Sequence, residues 1–211
     1  MSLKERRVDY QKGTLSDDSK NESPFKLFEN WLELAKNNVA VDFNAMCLST
    51  ISLDGYPASR IVLLREFTDK GFVFYTNYTS AKGNELQQNP EVSLNFFWRE
   101  LEKQVRIKGT AHKVSSEVSD KYFASRPRKS QIGAWVSNQS QIIQSRDSLL
   151  KREEELEETF KDTEVTRPSG WGGYIVSPNS FEFWQGRSGR LHDRLRFTNK
   201  EGSWKADRLS P

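Results

Sequence analysis

Residues 45–77 read AMCLSTISLDGYPASRIVLLREFTDKGFVFYTN, and this stretch sets the fold class. Two runs rich in β-branched and apolar residues, 45–53 and 58–67, flank Asp54-Gly55, a strong short-range signal for a hairpin turn. A second turn at Asp69-Lys70-Gly71 leads into a third run, 72–77. The stretch is predicted to fold as a meander of three strands. Cys47, the one cysteine of the chain, lies inside the first run, where a buried and inert thiol is expected. It excludes an internal disulfide and a cysteine-rich metal site, and it suits a reducing compartment.

On the N-terminal side, Ser23-Pro24 supplies a cap and a first-turn proline, and Leu27, Phe28, Trp31, Leu34 and Ala35 recur at helical spacing. Residues 1–23 before it are polar and are expected to form a flexible arm with Tyr10 as its one anchor. On the C-terminal side a short helix, 80–88, is stopped by Asn89-Pro90 and followed by two strands, 92–98 and 104–114. The middle is helical: 117–125 behind a serine cap, a short piece at 131–136, and a charged helix at 146–160 with a thin apolar seam. Strands resume at 171–177, 180–185, 191–198 and 204–209. Hairpin-linked strands interrupted by helices argue for a mainly β fold with accessory helices (α+β), an antiparallel β-barrel and not a parallel sheet. Residues 24–211 are expected to form a single domain.

The 211 residues carry 32 basic against 29 acidic side chains, a balance that gives no support for nucleic-acid binding through overall charge. No apolar run reaches transmembrane length, and residues 1–13 hold no signal-peptide core, so a cytoplasmic protein with no membrane contact is expected.

None of the glycine-rich phosphate loops is present, and two distant histidines make no metal site, so any bound anion must be held by side chains. Four clusters offer them. Arg60 and Arg65 bracket an apolar run. Tyr75, Thr76 and Ser80 precede Lys82, which opens a short helix. Three cations crowd around Pro127 in 122–130, YFASRPRKS. Finally 184–194, WQGRSGRLHDR, holds three arginines, His192, an aspartate and a tryptophan in the turn of a strand–turn–strand pattern. Arginine offers a permanently charged planar fork, and histidine titrates near neutrality, so this cluster suits an anionic small molecule and proton chemistry. Each cluster taken alone also fits a solvated charged surface, and both readings stay open on these residues.

Together and in this order the clusters resemble the pyridoxine (pyridoxamine) 5'-phosphate oxidase family. The resemblance spans nearly the whole chain. It rests on Phe183-Trp184-Gln185-Gly186 with Arg190-Leu191-His192-Asp193-Arg194, on Ser125-Arg126-Pro127 leading into Ser130-Gln131-Ile132-Gly133-Ala134-Trp135, and on Arg208-Leu209-Ser210-Pro211. It implies an FMN-binding split barrel, a Greek-key-type barrel working as a homodimer with FMN at the interface. The implied activity is oxidation of pyridoxamine or pyridoxine 5'-phosphate to pyridoxal 5'-phosphate, with O2 as acceptor and peroxide released. A non-catalytic flavin-binding split barrel is the alternative.

The resemblance places FMN on Arg60, Ile61, Val62, Leu63, Leu64, Arg65, Tyr75, Thr76, Lys82, Gln104, Trp184 and Arg194, with Gln139 and Ser140 reaching in from the partner subunit. It places the substrate phosphate on Arg65, Tyr122, Arg126 and Ser130. Arg190 and His192, with Leu191 between them, would face the carbon being oxidised, and Arg7, Val8, Asp9 and Tyr10 would form a flap over the substrate. No metal is implied. Two positions depart from the family's pattern: Arg65 stands where lysine is usual, and Ala81 stands where an arginine beside Lys82 is usual, so one expected phosphate cation is missing. Whether His192 acts as a base or orients the ring is left open by the sequence.

Overall fold

The computed structural model describes residues 9–211. Its strands are β1 (Ala45–Ile51), β2 (Pro57–Leu63), β3 (Glu66–Thr68), β4 (Gly71–Asn77), β5 (Glu91–Trp98), β6 (Lys103–Lys113), β7 (Trp171–Gln185), β8 (Asp193–Lys200) and β9 (Ser203–Leu209). The helices are α1 (Pro24–Asn38), α2 (Ala81–Gln88), α3 (Ser116–Ala124), α4 (Arg128–Val136) and α5 (Arg146–Thr159). All strands belong to one sheet, antiparallel at every pairing, with the main path β2-β1-β5-β6-β7-β4-β3, with β8 added beside β7 and β9 beside β8.

The expected three-strand meander is corrected. β2 and β3 are consecutive in the chain, yet they stand at opposite ends of the path, because the run 58–67 is broken at Leu64-Arg65. The Leu64 N–H donates to Asn44 O at 2.9 Å, beside β1, while the Arg65 N–H donates to Val73 O at 2.8 Å on β4. Two adjacent residues thus bond to strands at the two ends of the sheet, and the ring is closed by chain continuity where a ladder would close an ordinary barrel. No glycine or proline marks this split, so hydrophobic pattern alone reads one strand through it.

A pause expected near Pro178 is also absent, since β7 is continuous for 15 residues. Its register with β6 slips between Lys108 and Gly109, and a Cβ on Gly109 would lie 2.3 Å from Ser177 O. The bulge and the missing side chain let β7 bend past Pro178 without leaving the sheet. Beyond the bend its outer neighbour changes from β4 to β8.

The barrel interior is aromatic. Phe72, Phe74, Phe96, Phe181 and Phe183 are fully buried, and α1 lays Phe28 edge-on against Phe72 and Phe96 at 4.9 and 5.1 Å. Leu27, Trp31 and Ala35 complete the buried stripe of α1, whereas Leu34 faces out. Lys103 enters the same core: its Nζ lies 3.9 Å from the centre of the Trp31 ring and donates to Gln185 Oε1, and burial pulls its pKa down to about 8. A smaller cluster of Phe123, Ile132, Leu156 and Val165 docks the helical block on Trp171 at the start of β7.

Residues 9–23 lie along the C-terminal hairpin. Leu15 is buried, its N–H donates to Asp193 Oδ2 at 3.1 Å, and Arg208 donates to Leu15 O and to Asp17. Leu15 is therefore a second anchor beside Tyr10. Among the described residues no helix is long and apolar enough to cross a membrane.

Candidate active site

The break at Leu64-Arg65 opens the wall between β2 and β4, and α3 and α4 stand over the opening. A cavity of about 650 Å³ results. It brings together Arg60, Ile61, Val62, Leu63, Arg65, Tyr75, Thr76, Lys82, Tyr122, Arg126, Ser130 and Gln139, all singled out in the sequence, and adds Asn77, Gly133, Ala134, Ser137 and Trp171. The signal for part of that addition was available: Ser130, Gly133, Ala134 and Ser137 recur at helical spacing and form a small-residue face on α4 and its end. Trp171 carried no such signal, because only the fold brings the start of β7 beside α3.

Four cations face this space, but their charges are not equally free. Arg60 Nη2 is 2.7 Å from Glu85 Oε2, a buried carboxylate that also accepts from Thr50 Oγ1 at 2.5 Å, so its charge is balanced within the fold. Lys82 has only neutral partners among the described residues: its Nζ donates to Thr76 Oγ1 and to Gln139 Oε1, both at 3.2 Å. Burial lowers the Lys82 pKa, the Arg60 charge lowers it further, and Glu85 opposes the shift. Arg126 makes no ion pair among the described residues, and its buried Nη1 has no hydrogen-bond partner there. Burial lowers its pKa too, with Arg65 adding to the effect. Tyr75 is held up to about 12 by burial, so its hydroxyl stays protonated. Cations desolvated without counter-ions make this cavity receptive to a bound anion.

One expectation changes. Leu64 turns into the barrel core and does not line the cavity. Gln139 is carried to this cavity by the chain's own loop after α4, where Thr76 Oγ1 donates to it at 3.1 Å. Ser140, next to it, is exposed with a φ of 72°.

The remaining residues form a second group on the outer face of the sheet. Arg194, Trp184, Gln104 and Phe97 lie side by side across β8, β7, β6 and β5. The next row runs Glu182, Arg106, Asn95, Cys47 and Ile61, ending at the cavity's edge. β7 borders the cavity only at its start, through Trp171 and its pairing with β4, and Trp184, at the far end of the strand, is not among the residues that line the cavity of its own chain. Between the two groups this face exposes Ile61 and Phe97 and carries Asn95 Oδ1, buried and without a partner among the described residues. Arg194 is fixed by Glu182 Oε1 at 2.9 Å and by Ser210 O at 2.8 Å.

The turn after β7 presents Arg190, Leu191 and His192, with Gly189 and Arg190 both at positive φ (61° and 62°). The Arg187 N–H donates to His192 Nδ1 at 3.1 Å, which leaves Nε2 to carry the proton of the neutral ring. Tyr10 packs edge-on to Trp184 at 5.7 Å and tilted to His192 at 5.8 Å, and Asp9 accepts from the Gly189 N–H. A Cβ on Gly186 would lie 2.7 Å from the Tyr10 ring, so this approach requires glycine. Arg7 and Val8, the rest of the expected flap, lie outside the described residues.

Comparison with known proteins agrees on both parts of the chain. Residues 35–160 match the family model described as pyridoxamine 5'-phosphate oxidase, and residues 171–211 match the model described as the pyridoxine 5'-phosphate oxidase C-terminal dimerisation region. A curated pyridoxine/pyridoxamine 5'-phosphate oxidase of Microcystis aeruginosa is 49% identical over 100% of this chain and 99% of its own. One of Actinobacillus pleuropneumoniae is 50% identical over 100% of both. Among solved structures, PhzG from Burkholderia lata 383, in complex with tetrahydrophenazine-1-carboxylic acid, superposes with a TM-score of 0.88 at 29% identity, covering 95% of this chain and 100% of that one. A pyridoxamine 5'-phosphate oxidase-related, FMN-binding protein from Nostoc punctiforme shares the fold with a TM-score of 0.71 at 15% identity, covering 90% and 99%.

Proposed function

The chain belongs to the pyridoxamine 5'-phosphate oxidase family, and from that premise we infer that it oxidises pyridoxamine and pyridoxine 5'-phosphates to pyridoxal 5'-phosphate on bound FMN, with O2 as electron acceptor and H2O2 as product, water being consumed and ammonia released when the substrate is the amine. The observation that carries the reading is the pair of desolvated cations, Lys82 and Arg126, that have no carboxylate partner among the described residues of this cavity. Two phosphates, one of the cofactor and one of the substrate, answer that need. The donor set thus fits FMN, with Lys82, Thr76 and the Arg60 side of the cavity holding its phosphate and Arg65, Tyr122, Arg126 and Ser130 holding the substrate's.

The chemistry supplied by FMN is acceptance of a hydride from the substrate's C4' carbon and its onward transfer to O2. The protein's share is orientation. Arg126 and Tyr122 fix one end of the substrate, and a fixed phosphate sets the distance of C4' from the acceptor. His192 Nε2–H is a donor that can stabilise charge developing on the C4' oxygen or nitrogen as that carbon gives up its hydride, and Arg190 adds a permanent charge beside it. These two residues lie on the hairpin and the phosphate contacts lie in the cavity. We therefore assign a complete site to two copies of the chain, with the outer face between the two groups as the interface; the match to a dimerisation region supports this. A reducing, cytoplasmic setting fits the lone Cys47.

The test is direct. Purified protein should show oxidised-flavin absorption and, in air, turn over pyridoxamine 5'-phosphate with one peroxide per aldehyde formed. A flavin-loaded protein without turnover would leave a binding protein in place of the oxidase.

A further inference from the structure

Arg126 is half-buried, and its setting is unusual for an arginine. Its guanidinium carbon lies 4.6 Å from the centre of the Trp171 ring and 5.5 Å from that of Phe123, and no carboxylate pairs with it among the described residues. Trp171 is 8% exposed and is held from several sides. Its N–H donates to Pro168 O at 3.0 Å, its carbonyl accepts from Arg167 Nη1 at 2.6 Å, and Phe123 meets it edge-on at 5.3 Å. The same ring is nearly parallel to two others: 2° from Tyr122 at 6.2 Å and 13° from Tyr75 at 5.4 Å, while Tyr75 and Tyr122 stack at 3.8 Å.

A guanidinium with its Nη1 cut off from water needs compensation for that lost hydration. A carboxylate would give more of it, but would also occupy the N–H groups that an incoming phosphate needs. An aromatic face attracts the charge through its quadrupole and leaves the N–H groups at the guanidinium's edge free. The unpartnered Nη1 is what such an arrangement leaves over. We propose that Trp171 is a positioning residue for the reaction: it carries Arg126 on its face and aligns Tyr122 through the aromatic stack, so that both present donors to the substrate phosphate before it arrives. This rests on the reading that Arg126 meets that phosphate.

The experiment compares steady-state kinetics of the FMN-loaded parent with Trp171→Leu, Trp171→Phe and Arg126→Ala. Trp171→Leu should raise KM for pyridoxamine 5'-phosphate roughly three- to thirtyfold, the span of a desolvated cation–π contact, with kcat within about twofold and flavin content unchanged. The constant for competitive inhibition by inorganic phosphate should rise in step with KM. Trp171→Phe keeps an aromatic face and should recover most of the loss. Should the leucine variant fail to fold, Trp171→Met, closer in volume, takes its place with the same expected KM shift. An unchanged KM in the Leu or Met variant, or a fall in kcat and flavin content that phenylalanine does not rescue, would overturn the positioning role. An unchanged KM in Arg126→Ala would instead overturn the phosphate reading beneath it.

Discussion

The backbone N–H of Arg187 donates to Nδ1 of His192 at 3.1 Å across the turn that joins β7 to β8. That bond fixes the ring's tautomer, so the proton available to a ligand is on Nε2. His192→Asn keeps an acceptor near the Nδ1 position and loses the Nε2 donor. It should therefore keep the fold and the flavin while turnover falls about ten- to a hundredfold, the worth of one hydrogen bond to a developing charge. His192→Gln, whose amide nitrogen reaches the Nε2 position, should retain more activity than His192→Asn. Equal activity in both would remove the donor role.

Ala81 opens α2 and is exposed, next to Lys82. An arginine there would bring another cation to the flavin phosphate, and ordering its side chain offsets part of the gain. Ala81→Arg should tighten FMN by ~1–2 kcal/mol, read by fluorescence titration. An unchanged constant would mean that position 81 does not face the phosphate.

Gly186 allows Tyr10 to close on Trp184 and His192. A methyl group there meets the base of the tyrosine ring, which cannot swing away without leaving both partners. Gly186→Ala should release residues 9–15, and trypsin should then cut at Lys12 faster than in the parent. A cleavage rate equal to the parent's would show that the arm is held by Leu15 and Arg208 alone.

Much of this was legible in the residues. The β-rich order, the helix at α1 and the hairpin before Arg190 follow from periodicity and turn residues, and the cavity's cations from their clustering. The split at Leu64-Arg65 was not, because Ile61-Val62-Leu63-Leu64 offers no breaker and the reason for the break is which strands the two neighbours pair with. The role of Glu85 as Arg60's counter-ion and of Trp171 beneath Arg126 also depend on non-local packing that spacing does not encode. Leu15 was hidden by the polar composition around it.

Lys103 gives the fold a pH dependence. Its pKa falls from the ordinary 10.5 to about 8 through burial, so the unfolded chain binds the extra proton between these values. The fold therefore carries the full penalty below pH 8 and sheds it as pH rises toward 10.5, a change on the order of 3 kcal/mol. Lys103→Met, measured by denaturant unfolding, should gain stability relative to the parent at pH 7 more than at pH 10. A difference independent of pH would mean that Lys103 keeps an ordinary pKa.

The division of one site between two copies is tested by mixing two inactive subunits. One carries Lys82→Ala with Arg126→Ala in the cavity; the other carries Arg190→Ala with His192→Asn on the hairpin. If each site joins the cavity of one copy to the hairpin of the other, a hybrid dimer contains one intact site and one doubly damaged site. Co-expression at equal levels should then restore about a quarter of the parent's activity, since half of the dimers are hybrids with one of two sites intact. Activity no greater than the sum of the two separate variants would contradict the shared site and return the whole reaction to a single chain.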